Sequence, residues 1–365
     1  MNNLISFFQS SSIEDIYEKV SSGERLSAED GIRLYKNNNL FAIGKLAQIA
    51  AEKINGNKVT YVYNQHINYS NVCQNECRFC AFGKKDEQDG GYTLSLDQIE
   101  NKIRQRLSEP ITELHIVGSI HPGLNYDYYL QMISRAKKIR SHAYIKAFTA
   151  VEIAHIAKIS NQSIEKTLFD LKENGLDCIP GGGAEIFSPR VRKKLCPEKL
   201  PGEKWLEIAR TAHKMGIPSN ATMLYGHIET IEERIDHLLK LREIQDETRG
   251  FLTFIPLTFH PQNTKLSHLS STSAIDDLKT IAVSRLMLDN IPHIKAYWVM
   301  LGVKLAQVAL SFGADDLDGT VIEEKITTMA GGNTQGYVTV DQMKNLIASA
   351  DRKPVQRDTL FRLKE

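Results

Sequence analysis

The stretch VTYVYNQHINYSNVCQNECRFCAF, residues 59–82, decides how the rest of the chain is read. Its first ten residues, 59–68, mix β-branched and aromatic residues with polar ones, which is a strand pattern. The strand runs directly into three cysteines, Cys73, Cys77 and Cys80, spaced C-x3-C-x2-C. Parallel α/β folds place their chemistry beyond the carboxyl ends of the strands. In such a fold these thiols stand at the end of the strand where the chemistry sits.

Working outward, similar short runs occur at 113–117, 144–148, 176–179, 220–225, 251–257, 293–298 and 308–312. Helical patterns fill the intervals. Ser95 and Gln98 stand at capping-box spacing before an apolar stripe of Leu96, Ile99, Ile103 and Leu107. Thr230 and Glu233 repeat that spacing, while Gly175 and Gly216 stand where helices should stop. Strands alternating with helices predict an α/β chain, a (β/α)8 TIM-type barrel over residues 56–313. Residues 1–55 read as an N-terminal helical extension and 314–365 as a C-terminal cap packed on the barrel. The segments after the strands are polar and Gly-rich: GSIHPG, TAVEI, PGGGAEIF, GHIET, TFHPQNT, YWVMLG and GADDLDGT. The barrel rule gathers them at one rim.

The composition is that of a globular protein, 42% hydrophobic and 24% charged over 365 residues. A net charge of +1 supplies no basic field for nucleic acid or anionic lipid, so neither is expected as a partner. No apolar run approaches the ~20 residues that span a bilayer. The opening MNNLISFFQSSSIEDIYEKV has no basic segment and no cleavage site. A cytoplasmic location is expected, where clustered thiols stay reduced and serve metals or catalysis.

Three thiolates at this spacing can each hold one iron of a [4Fe–4S] cluster, leaving the fourth iron open to a substrate. Structural zinc wants four closed ligands, and Cys178 and Cys196 are single and distant in sequence. Ferredoxin spacing is also absent. An electron-transfer iron–sulfur protein is the rival from another class, and it would have no use for a polar rim.

The segment CQNECRFC, with Phe79 before its last cysteine, resembles the signature of the radical S-adenosylmethionine (SAM) superfamily. The resemblance implies that SAM chelates the open iron and is split to a 5′-deoxyadenosyl radical. It extends through HIVGSIHPGL, IKAFTAVEI, PGGGAEIF, SNATMLYGHIET, FIPLTFHPQNT, IKAYWVMLG and FGADDLDGTVIEEKI. These are similar to the menaquinone (futalosine pathway) branch, above all to the aminofutalosine synthase family, with the cyclase of that pathway as the alternative. The implied substrates are SAM and an aryl enolpyruvyl ether dianion, 3-[(1-carboxyvinyl)oxy]benzoate, and the implied partner is an electron donor such as flavodoxin or ferredoxin. One departure stands out. Where many radical SAM enzymes carry Gly-Gly-Glu after the second strand, this chain has Gly118-Ser119-Ile120-His121.

Site residues follow from strand ends and from that resemblance. Phe79, Gly118, Ser119, Gly182 and Glu185 are expected to bind the cofactor, Glu185 at the ribose hydroxyls or else in a salt bridge. His66 and Asn68, two apart on the first strand, face one side and are expected to meet the substrate or else to satisfy barrel backbone. Thr222, His227 and Glu229 follow the fifth strand as catalytic candidates, with a packed core histidine as the plain alternative. His260 and Asn263 follow the sixth as substrate contacts. Arg285, on a helix pattern, is a candidate for a substrate carboxylate or an internal ion pair. Asp315, Asp316 and Asp318 lack calcium-loop spacing and are expected to form a polar loop closing the site. Phe148 and Trp298 are expected in the core.

Overall fold

A computed structural model describes residues 2–331 and 337–364. Its strands, all parallel, are β1 (Lys58–Val62), β2 (Asn64–Ile67), β3 (Glu113–Ile116), β4 (Tyr144–Ala147), β5 (Ser219–Tyr225), β6 (Phe251–Thr258), β7 (His293–Ile294), β8 (Asp316–Gly319) and β9 (Lys353–Gln356). β2 pairs with β3 and β3 with β4, while β5, β6 and β7 form a second run. Single bridges join the runs: Lys146 to Cys178, Ile179 to Ser219, and Lys295 to Asp316. β8 returns to β1 through Thr60–Asp316 and Val62–Gly319, and Gln65 meets Ile322 above. The ring closes with eight positions, β1 and β2 being one strand interrupted at Tyr63. Closure removes free sheet edges, and helices cover the outside.

Local signals in the sequence explain the helices. Leu96–Arg104 begins at a complete Ser95–Gln98 capping box and Ile231–Thr248 at a Thr230–Glu233 box. The apolar stripe of the former ends at Ile103, since Leu107 is half exposed. Residues 2–55 form four helices, Asn2–Ser10, Glu14–Ser22, Ala28–Lys36 and Leu40–Asn55, and the last packs on Ala274–Met287 of the barrel wall.

Three expectations change here. The expected strand 176–179 contributes only the bridges at Cys178 and Ile179. The expected strand 308–312 overlaps the end of a helix, Val303–Ala309, whose Ala306 and Ala309, followed by Leu310, are buried at helical spacing. The eighth strand is instead Asp316–Gly319 within DDLDGT, a segment expected to be a loop. Aspartate is disfavoured in strands, so propensity points away from it. The barrel interior overrides propensity here: Asp316 and Asp318 alternate with the core residue Leu317, and both acids are ion-paired. The strands of the barrel therefore run past residue 313, to Gly319, and Glu324, Ile326, Thr327 and Ala330 beyond it line the cavity described below.

β9 pairs in parallel with β1, on the side away from β8, with Lys58 opposite Lys353 and Tyr61 opposite Gln356 at the N-terminal end of the barrel. Beyond it Arg357, fully buried, clasps Asp316 with Nε at 2.6 Å, and Thr359 donates to Glu113 at 2.9 Å. Inside the barrel Lys146 pairs with Glu113 at 2.6 Å and Lys295 with Asp318 at 2.8 Å. Three acids face three bases, so the interior column has no net charge, the condition under which buried ions are tolerated.

Candidate active site

The segment 70–93 leaves β2 and is pinned to its neighbours by backbone hydrogen bonds. Cys73 N–H donates to Lys84 carbonyl and Gln74 N–H to Ile120 carbonyl, at 2.8 and 2.9 Å; Arg78 N–H reaches Leu195 carbonyl at 2.8 Å. The three thiols line one cavity at the C-terminal rim of the barrel. Gly83 closes the turn: its N–H points at Cys80 Sγ, 3.3 Å away, and a side chain there would touch Cys73. Cys80 is exposed while Cys73 and Cys77 are half-buried. Burial pushes the Cys77 thiol up to about 12, partly offset by the nearby Lys199 ammonium. Among the described residues, no trio of His, Cys, Asp or Glu converges on a point as a single metal ion requires. A [4Fe–4S] cluster asks for three thiols set apart, each for its own iron, and a backbone N–H aimed at sulfur is a donor that suits it. The residues present fit that group.

The cavity encloses about 330 Å³, within the range of small-molecule sites. Its walls come from the loops after several strands. Gly118 must be glycine, because a Cβ would stand 2.6 Å from the Tyr69 ring. Its N–H donates to Glu152 Oε1 at 3.0 Å, and Tyr69 donates to the same atom at 2.8 Å. Ser119 Oγ donates to Val72 carbonyl at 2.5 Å, so its side chain braces the cysteine loop. In PGGGAEIF, Gly181 has φ +84° and its Cα passes so near Asn220 carbonyl that a Cβ would lie 2.3 Å away. Gly182 and Glu185 line the cavity beyond it. Glu185 takes the salt-bridge alternative, 2.5 Å from Lys199, whose ammonium sits 5.2 Å above the Phe79 ring centroid. Burial opposes the charge on Lys199, but Glu185 outweighs it and holds that amine well above its ordinary value.

At the cavity floor lie His66, His115, Lys146, Lys295 and Asp318. The two imidazoles stack with centroids 4.4 Å apart. His66 Nε2 is buried without a hydrogen-bond partner in the protein, and burial together with His115 holds this group well below the usual histidine range. His66 lines the cavity as a neutral imidazole whose Nε2 is buried and unpaired. Thr222 and His260 also line the cavity, donating respectively to Gly181 carbonyl (2.8 Å) and engaging Met300 carbonyl (3.0 Å).

Asn68, Asn263, Arg285, His227 and Glu229, and two of the three aspartates expected to close the site, are absent from the cavity lining. Asn68 donates to Val117 carbonyl and accepts from Lys325 N–H, the backbone role that was its alternative. Asn263 is exposed and donates to Met329 carbonyl at 3.1 Å. Arg285 is buried against the eighth strand, 2.6 Å from Asp315 and bonded to Gly313 carbonyl, so it is an internal ion pair. Asp315 is thereby occupied, with His293 on its other oxygen, and Asp318 is the one member of its trio that lines the cavity. His227 and Glu229 lie outside the lining. His227 Nε2 donates to Leu224 carbonyl at 2.9 Å and its Nδ1 stands 2.8 Å from Glu229, while Glu229 also accepts from Gly226 N–H and Arg234. This pair ties the fifth-strand turn to its helix. Phe148 and Trp298 are core residues as expected.

The placement predicts what Glu229 does. Burial alone would raise its pKa, but His227, Arg234 and the Gly226 N–H together hold it at about 2. A depressed folded value means stabilisation present above the unfolded carboxylate value and lost as pH falls through about 2. Glu229→Gln should cost on the order of 3 kcal/mol of stability at pH 7. The difference from the parent should shrink between pH ~5 and 2. Product formation by the folded fraction should be nearly unchanged for Glu229→Gln and for His227→Ala. Denaturant titrations across that pH range check the first statement; a loss of turnover at full folding would return both residues to the catalytic group.

Lys146, Lys295, Lys199, His115 and Glu152 were not singled out from the sequence. A signal for the first two exists. IKAF at 145–148 and IKAY at 294–297 repeat a lysine inside a short apolar barrel strand, where an inward-facing charge demands a reason.

The chain is similar to known proteins along most of its length. The Radical SAM superfamily model matches residues 67–241 and the CofH/MqnC C-terminal region model matches 248–365. An aminodeoxyfutalosine synthase of Thermus thermophilus is 45% identical over 95% of this chain and 94% of its own. A 5-amino-6-(D-ribitylamino)uracil--L-tyrosine 4-hydroxyphenyl transferase of Methanococcoides burtonii is 41% identical over 88% of this chain and 91% of its own. Among solved structures, methylornithine synthase superposes with a TM-score of 0.76 at 18% identity, covering 93% of this chain and 97% of that one, a likeness of fold.

Proposed function

From the premise that this chain belongs to the radical SAM superfamily and is a radical SAM enzyme, we propose that it is an aminofutalosine synthase. In this reading the adenosyl group of SAM is joined to 3-[(1-carboxyvinyl)oxy]benzoate. The C5′–S bond of SAM breaks and methionine is released. C5′ adds to the enolpyruvyl double bond, the ether rearranges, and one carboxylate leaves as CO2 or bicarbonate. Its departure gives up the electron that opened SAM, so that no net electron is consumed. When bound, the cluster on Cys73, Cys77 and Cys80 with SAM supplies the 5′-deoxyadenosyl radical.

The observation that carries the reading is that the thiols and a buried floor of Lys146, Lys295 and His66 share one cavity. Each lysine spends a proton on Glu113 or Asp318 and keeps others for a ligand. A substrate with two carboxylates is the kind of ligand that such donors recognise. Between floor and rim, Val117, Leu224, Ile255, Leu257 and Phe259 give an apolar wall that keeps water away and leaves room for an aromatic ring. The protein's share is therefore orientation and exclusion. The Thermus relative at 45% identity supports the synthase reading.

The transferase relatives define the test. Reconstituted protein with SAM and reductant is offered the enolpyruvyl ether, or L-tyrosine with 5-amino-6-(D-ribitylamino)uracil. Turnover of the ether and not of tyrosine is expected. Tyrosine consumption with the ether left intact would replace this reading with the transferase one.

A further inference from the structure

Two buried polar atoms of the cavity lining, His66 Nε2 and Asn220 Oδ1, have no hydrogen-bond partner among the described residues. Their residues are only 4% and 1% exposed, so solvent does not serve them. Both belong to the floor. His66, His115 and Lys146 are register partners across β2, β3 and β4. Lys146 bridges on to Cys178, and the next residue, Ile179, bridges to Ser219 beside Asn220. Lys295, next after β7, lines the same floor. Beneath it Glu113 and Asp316 are held by Thr359 and Arg357 of the C-terminal segment, so that end is closed. An unpaired buried polar group costs free energy until a ligand or water meets it. Lys146 and Lys295 each spend one N–H on an acid and keep others. Neutral His66 can donate from Nε2, and the Asn220 amide, turned over, presents N–H. Four donors lining one closed end suit a carboxylate, whose two oxygens accept about four bonds.

We infer that His66, Lys146, Asn220 and Lys295 hold the ring carboxylate of the aryl ether, the carboxylate that the product keeps, and set the preference for a substrate that carries it. The inference rests on the proposed function, which places C5′ at the rim with the thiols. In the ether the enolpyruvyl carboxylate is two bonds from the carbon that C5′ attacks, whereas the ring carboxylate is six bonds away. Only the second can reach the floor past the apolar wall of Val117, Leu224, Ile255, Leu257 and Phe259. The departing carboxylate is then left at the open end, clear of both floor lysines, with a way out for CO2. Lys199, the other lysine of the lining, is spent on Glu185 near the thiols.

The test compares two substrates on reconstituted, reduced protein: 3-[(1-carboxyvinyl)oxy]benzoate and 2-phenoxypropenoate, the same ether without its ring carboxylate. The parent should favour the first by about 100-fold or more in kcat/KM. Three variants probe the floor. His66→Phe keeps a ring to stack on His115 and removes the nitrogen, Asn220→Ala removes the amide, and Lys146→Met/Glu113→Gln removes the cation together with its acid. In each the preference should shrink by about tenfold or more, because the loss falls on the dianion more than on 2-phenoxypropenoate. Equal loss on both substrates with the preference intact, or no preference in the parent, overturns the assignment. Binding reads the floor independently of turnover. By calorimetry 3-methoxybenzoate should bind the parent about tenfold or more tightly than methoxybenzene, and the variants should lose that margin. If neither ether is consumed while this binding pattern holds, the carboxylate site stands and the proposed reaction falls. Equal binding of the two probes by the parent removes the site.

Discussion

Alanine at Cys73, Cys77 or Cys80 should leave a folded protein without a stable iron–sulfur cluster and without measurable SAM cleavage. The three side chains line one rim and nothing else substitutes for them. Cys178 and Cys196, the only other cysteines, are buried among core residues, and neither lines the cavity. Cys178→Ala and Cys196→Ala should therefore retain iron, with at most a modest packing loss. Iron and sulfide analysis, electron paramagnetic resonance after reduction, and melting temperature on the same preparations check this. Retention of the full cluster in Cys77→Ala together with its loss in Cys178→Ala would remove the cysteine assignment.

The second large effect belongs to Lys146. Its side chain is 1% exposed and pairs with Glu113 at 2.6 Å, so Lys146→Met strands a buried carboxylate and should cost about 3–5 kcal/mol of stability. It should also remove a cation from the cavity floor, with kcat/KM falling at least 100-fold, about 2.7 kcal/mol. The double variant Lys146→Met/Glu113→Gln separates the two losses. Neutralising both partners should restore much of the stability, because the uncompensated charge is gone, while activity stays low. Recovery of activity along with stability would make Lys146 a structural residue only.

Residues 59–82 carried the fold because two independent signals met there, a strand pattern and a thiol spacing that chemistry explains. Capping boxes at Ser95 and Thr230 were legible for a similar reason: they are local, and their partners lie three residues away. What the sequence concealed was set by distant partners. Asp316 and Asp318 form a strand because Arg357 and Lys295 neutralise them inside a closed barrel, a compensation invisible to propensity. His227 and Glu229 stand near a strand end, and their side chains meet Leu224, Gly226 and Arg234 rather than the cavity. Position along the chain gives the rim, whereas facing the cavity or the helix layer depends on the turn at Gly226. Lys146 and Lys295 went unread because short strands with one lysine look like exposed edges until the register turns that lysine inward.

The most direct test follows the adenosyl carbons. The parent protein, reconstituted anaerobically and reduced with dithionite, is given SAM labelled in its adenosine and the enolpyruvyl ether, and products are resolved by mass spectrometry. The label is expected in a single adduct with the mass of aminofutalosine, formed as SAM and the ether disappear together. Label recovered chiefly as 5′-deoxyadenosine, with the other substrate rearranged or untouched, would contradict the claim that this cavity joins the two molecules.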